Sequence, residues 1–239
     1  PKLLTGKNQI TTLIEEFYYP RLGPGQMWER VTDMLEERGH PVHLEHWVKT
    51  IHRDGERVTG ITVVDVNGKE ERFDADHVIS TMPVRELLNA MDPPPPAASL
   101  EAANRLRYRD FLTVGLVVES TELFPDNWIY IHSPDVKVGR IQNFGNWSPY
   151  MIPDKSTSCI GLEYFVQEGD ELWTASDEEL IELGKKETAR LGLIDADKVI
   201  DGVVIRVPKA YPVYDHGYKE NIDSIREYVD QIPNLHLIG

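Results

Sequence analysis

Two dipeptides, Asp54-Gly55 and Asn67-Gly68, bracket the run Val58 to Val66, which is rich in β-branched residues. Both are hairpin turns by composition, because the tight two-residue turns need a positive φ that glycine and asparagine adopt most readily. A β-branched run between two such turns can only be the middle strand of an antiparallel meander. Glu45 to His52 supplies the strand before it, and Glu70 to Phe73 the strand after. A buried strand from Ala75 to Ser80 is expected beside them, and a short strand over Val42 to Leu44 ahead of them.

Upstream lies Phe17-Tyr-Tyr-Pro-Arg-Leu-Gly-Pro-Gly-Gln-Met-Trp28. A strand-like run ends at Pro20, and Gly23, Pro24 and Gly25 make a turn. A helix then runs to about Glu37 with Trp28, Val31, Met34 and Leu35 on one face, and Gly39 and Pro41 stop it. Residues 8–16 also read as helix. Glycines at such a junction let a flat ligand approach the backbone, and the helix start offers free N–H groups. Taken alone, the pattern suits an ordinary strand–turn–helix joint better.

Downstream, Val84 to Ala90 is a short helix, and Pro93 to Pro96 form an extended spacer that marks a lobe boundary. Arg109 to Glu119 is a continuously apolar strand, with partners in Trp128–Ile131, Val138–Phe144 and Thr157–Phe165. Ser176 caps a helix to Leu191 whose first turn is acidic. A strand over Val199–Val207, a helix over Ile222–Val229 and a strand over Leu235–Ile238 complete a mixed α/β, α+β chain. The expected divisions are 1–91, 92–215 and 216–239.

Bulk properties narrow the function. The chain has 239 residues, a formal net charge of -15 and 41% hydrophobic residues. A large core is therefore possible, and nucleic acid and anionic membrane surfaces are disfavoured as partners. The one cysteine, Cys159, precludes an internal disulfide and fits a cytoplasmic location. No apolar run reaches the ~18 residues of a membrane span. There is no GxGxxG, P-loop, GxSxG, CxxC or HExxH. His40, His43 and His46 do not share a helix face, since Pro41 interrupts them, so no metal site is expected. No catalytic residue is assigned.

Two polar groups invite a binding role. Val138, Arg140 and Gln142 share one side of a strand, and arginine reads phosphate or carboxylate through paired bonds. Taken alone, Arg140 is better read as a surface arginine on a half-exposed strand. The segment Arg206-Val-Pro-Lys-Ala-Tyr-Pro-Val-Tyr214 packs two cations and two tyrosines together. It suits a sugar–phosphate ligand or a proline-braced loop with structural tyrosines equally.

In order, these pieces resemble the FAD-dependent amine oxidase and protoporphyrinogen oxidase superfamily. The matching elements are Tyr19-Pro20-Arg21-Leu22-Gly23-Pro24-Gly25, Val48, Asp54-Gly55, the Val58–Val66 strand and Ser80-Thr81-Met82-Pro83. The resemblance implies FAD as cofactor, with an antiparallel substrate lobe and a β-meander belonging to a Rossmann-like cofactor lobe. It implies that Val48 lies by the adenine, Thr81, Met82 and Pro83 near the pyrophosphate, and Gly23 and Gly25 near the flavin ring. Gly239 falls among the flavin contacts.

A narrower similarity is to the UDP-galactopyranose mutase branch, carried by Gln26-Met27-Trp28, Ser80-Thr81-Met82, Arg140 before Asn146-Trp147-Ser148-Pro149-Tyr150, and Tyr211-Pro212-Val213-Tyr214. It implies that Arg140, Tyr211 and Tyr214 bind a nucleotide-sugar diphosphate, with Lys209 balancing its charge. Tyr214 and Trp147 depart from the branch pattern, which has proline and tyrosine there. The superfamily's N-terminal dinucleotide motif and C-terminal flavin segment are not in this sequence. A piece of a longer protein, binding FAD poorly or not at all by itself, is expected. The functional expectation is a flavin-dependent oxidoreductase acting on a small molecule. The alternatives are a mutase-like isomerase and a non-catalytic module that keeps the fold.

Overall fold

The computed structural model describes residues 17–238. The expected helix over 8–16 and the site residue Gly239 lie outside them. Helix α1, Gly25–Glu36, follows the glycine turn and ends as its composition dictates. Gly39 takes φ +80°, and the His40 N–H reaches back to the Leu35 carbonyl at 2.9 Å.

The meander forms from β1 (His46–Asp54), β2 (Arg57–Asp65) and β3 (Glu70–Asp74), antiparallel in sequence order. Val42 to Leu44 is not a strand, because the chain turns there and Glu45 takes φ +57°. Strand β4 is only Val78–Ser80. Helix α2 (Val84–Asn89) leads into strand β5 (Met91–Asp92), and β5, not β4, is the fourth strand of the meander sheet, parallel to β1. The prolines then open helix α3, Ala97–Arg105, with Pro96 just ahead of its first turn.

Strand β6 (Tyr108–Val118) begins a five-stranded sheet with β7 (Trp128–Tyr130) and β8 (Arg140–Asn143), followed by a short helix α4 (Phe144–Trp147). Strand β9 (Ser158–Val166), the one-turn helix α5 (Glu171–Thr174) and helix α6 (Asp177–Arg190) come next. Strand β10 (Val199–Pro212) completes the sheet in the order β10-β6-β9-β8-β7. Helix α7 (Tyr218–Val229) leads to β11 (Leu235–Leu237), which pairs with β4 in parallel. Mixed helices and sheets, including the expected antiparallel sheet, are thus present.

Contacts divide the chain into two units. Among the described residues one comprises 17–41, 114–162 and 181–203, and the other 42–113, 163–180 and 204–238. In the first, Gly184 of α6 lets the helix settle on Val114, Leu116 and Leu162, since a Cβ there would stand 3.2 Å from Leu162. In the second, Ile51, Leu87, Leu88, Ala103, Leu106, Ile225 and Val229 share one core. Residues on both sides of the proline run therefore pack together.

Candidate functional site

In the second unit, β1, the β4–α2 corner, the end of β10 and α7 surround a cavity of about 1630 Å³. That exceeds the ~300–1,000 Å³ of ordinary small-ligand pockets and suits an extended ligand. Its lining brings together Val48, Thr81, Met82, Pro83, Lys209 and Tyr214, six of the residues singled out from sequence. Val48 is on β1, Thr81 to Pro83 follow β4, and Lys209 and Tyr214 flank the end of β10. Ile222, Ile225 and Val229 of α7 give an apolar wall, as the spacing of that helix requires.

The polar lining is rich in cations although the chain is acidic. Lys49, Arg107, Lys209 and Arg226 all contribute, against Glu86 and Asp230. Lys49 pairs with Glu70, Arg107 with Asp215 at 3.6 Å, and Lys209 with Glu86 at 3.3 Å. Tyr214 meets Tyr218 edge-on at 4.8 Å. Burial raises the Tyr108 hydroxyl above its ordinary pKa, so it stays protonated on the cavity wall. Of the two cations in 206–214, only Lys209 serves the cavity. Arg206 is spent on the Trp173 and Ala175 carbonyls and on Asp177, at 3.1, 2.6 and 2.6 Å. Tyr211 is outside the lining and meets Phe111 edge-on at 6.2 Å.

Gly23, Gly25 and Arg140 belong to the first unit. Gly23 takes φ +91°, which glycine allows, and a Cβ there would stand 3.4 Å from Met151. A Cβ on Gly25 would meet nothing. The glycine turn is knitted to the Asn146–Tyr150 string, a link that sequence did not suggest. The Ser148 hydroxyl donates to the Arg21 carbonyl at 2.6 Å, and the Arg21 guanidinium lies 3.7 Å from the Tyr150 ring centre. Trp147 makes stacked contacts with Trp128, at 5.1 Å, and with Tyr19, at 5.0 Å.

On the β7–β8 ladder Trp128 pairs with Gln142 and Tyr130 with Arg140. The Arg140 guanidinium lies 5.7 Å from the Tyr130 ring. Two aromatic rings, an amide and an arginine therefore share one face, as alternation along paired strands dictates. Val138, expected beside them, is buried ahead of β8. Cys159 is partly buried, and burial raises its pKa, so it is no activated thiolate. Among the described residues no three His, Cys, Asp or Glu side chains are placed to hold a metal ion. None of the described helices is long and apolar enough to cross a membrane.

A sequence profile for flavin containing amine oxidoreductases matches residues 6–239. No curated protein matches significantly. Among solved structures, a reduced UDP-galactopyranose mutase superposes with a TM-score of 0.73 at 18% identity, over 91% of this chain and 45% of its own. A protein assigned as a protoporphyrinogen oxidase, from Exiguobacterium sp. 255-15, gives 0.65 at 19%, over 91% and 46%. A putrescine oxidase redesigned in its cofactor binding gives 0.59 at 19%, over 90% and 46%. At these identities the likeness is one of fold, and the chain spans less than half the length of each.

Proposed function

Because the chain belongs to the flavin containing amine oxidoreductase family, we propose that it forms part of an FAD-dependent oxidoreductase acting on a small molecule in the cytoplasm, and that the large cavity takes part of the FAD. The observation that carries this reading is the lining itself. Val48, Thr81, Met82 and Pro83 are far apart in sequence from Lys209 and Tyr214, yet all six border one space. Its donor set fits a dinucleotide: cations for a diphosphate, tyrosines and an apolar wall for ring systems.

In this reading Val48 borders the adenine, Thr81 to Pro83 border the pyrophosphate, and Lys209 and Tyr214 border the substrate end, where the Lys209 ammonium also offsets a phosphate of the cofactor. Gly25, where a Cβ would meet nothing, leaves backbone open to the flavin ring, and Gly23 shapes the turn that presents it. The flavin, when bound, supplies a hydride acceptor. The chain's own groups bind and orient. Lys209 offsets anionic charge, the protonated Tyr108 hydroxyl can only donate or accept a hydrogen bond there, and the Ile222–Val229 wall excludes water. Residues 1–91 and 216–239 then belong to the cofactor lobe and 92–215 to the substrate lobe. A visible spectrum of the full-length protein, purified without added cofactor, tests this. Flavin bands that bleach on reduction are expected. A featureless spectrum that persists after incubation with FAD refutes it and leaves a module that has kept only the fold.

A second reading, a mutase-like isomerase of nucleotide sugars, is favoured by the face holding Trp128, Tyr130, Arg140 and Gln142. Rings and an arginine suit a sugar nucleotide. Arg140→Ala should then weaken UDP binding by roughly 1.5–3 kcal/mol, the value of a hydrogen bond to a charged group. Unchanged affinity in a calorimetric titration rejects it.

A further inference from the structure

Lys209 sits within β10 and yet has φ +55°. A non-glycine residue held there is strained and persists only where its surroundings fix it. The conformation changes where the strand points its side chains. From Val203 to Val207 exposure alternates, whereas Lys209 and Ala210 in succession are both half-buried. Breaking the alternation re-aims a side chain, as bulges do. Here the Lys209 ammonium arrives 3.3 Å from Glu86 Oε1 on the cavity wall.

The holding group is Asp110. Its carboxylate is buried, accepting the Lys209 N–H on Oδ1 and the Glu168 N–H on Oδ2, each at 2.6 Å. Bonds to an ionised acceptor are about twice as strong as neutral ones, so the pair can hold a strained backbone. Glu86 does not cancel the ammonium. Its Oε1 also accepts from the Arg85 guanidinium at 3.2–3.3 Å. Glu86 thus divides its charge between two cations, and the Lys209 ammonium, with three donors, keeps the capacity to pair with an anionic ligand.

We propose that Asp110 is a positioning residue: by fixing the left-handed backbone of Lys209, it aims the ammonium at a phosphate of the cavity's ligand. This rests on the cavity being a ligand site, as read above. The test is an FAD titration of the full-length protein and of K209M, D110N and D110N/K209M. Asparagine keeps the shape but cannot accept from both N–H groups. K209M should weaken binding about tenfold or more. D110N should weaken it comparably, and the double variant no further than K209M alone. D110N binding like the native protein, or a double variant losing the product of both effects, overturns the proposal.

A native protein that binds no FAD refutes the cavity reading instead. Amide hydrogen exchange at Lys209 then still decides the clamp. Faster exchange in D110N is expected, and unchanged exchange overturns it. If D110N folds poorly, K209G provides the check. Glycine adopts φ +55° unaided, so D110N should lower the melting temperature less in K209G than in the native background. An equal loss overturns the clamp.

Discussion

Asn234 shows what a single side chain can fix. It is 1% exposed, and its amide accepts from the Val58 N–H at 2.9 Å and donates to the Val58 and Asp76 carbonyls at 2.7 Å each. It ties β2 and the approach to β4 to the turn before β11. Asn234→Ala should lower stability by roughly 2–4 kcal/mol in urea unfolding, because buried backbone groups lose their partners. A loss below ~0.5 kcal/mol, the usual size at uncoupled surface sites, would show that water replaces the amide. Nothing in the sequence marks this asparagine, since Pro-Asn-Leu reads as a turn whether or not the amide turns inward. Asp110 was hidden likewise, as one acid at the edge of an apolar strand.

Asp65 was legible in its setting but not in its role. Its carboxylate accepts from the Lys69 and Asn67 N–H groups at 2.8 Å, and the Lys69 bond foremost holds its pKa below the ordinary value. A lowered folded pKa means stability present above the unfolded pKa of ~3.9 and lost as pH falls through the folded value. Asp65→Asn should therefore flatten the fall in stability below pH 4. A profile identical to the native one would assign the acid sensitivity to other carboxylates.

Among the elements, those with strong local signals matched the sequence closely: the two hairpins, α1 with its glycine stop, and α6. The α6 start is a reciprocal capping box, in which the Ser176 N–H donates to Glu179 at 2.9 Å and the Glu179 N–H to Ser176 at 3.2 Å. Ser176→Ala should cost roughly 0.5–2 kcal/mol by thermal unfolding, and an unshifted transition would mean that packing alone sets the helix start. Gly60 marks a different constraint. A Cβ there would stand 2.3 Å from the Phe73 carbonyl oxygen. Gly60→Ala should separate β2 from β3 and lower the melting temperature more than Thr59→Ala. Equal effects would show that the sheet accommodates the methyl.

What escaped the sequence at this scale depends on distant partners. Helix α3 is short and follows four prolines, and its place comes from Ala102 and Ala103 packing in the core with Ile225 and Val229. Strand β4 reads as a neighbour of the meander because it follows it closely, yet its hydrogen bonds go to β11. Parallel pairing between segments so far apart carries no local signal.

For the whole molecule, the family was legible because its turns and strand ends are local patterns in a fixed order. The cavity was legible only as scattered residues. Val48, Thr81 to Pro83, Lys209 and Tyr214 converge through the packing of β1, β4, β10 and α7, and Arg107, Arg226 and Tyr108 join them without any motif. The central claim is that this cavity takes the flavin nucleotide. It is tested most directly by titrating FAD into the full-length native protein and into Thr81→Trp, with flavin fluorescence as readout. Thr81 is exposed on the cavity wall, so the indole fills the space without entering the core. Saturable binding by the native protein and at least ~10-fold weaker binding by the variant, at equal melting temperature, is the predicted result. Equal affinity in both would place the flavin elsewhere and contradict the account.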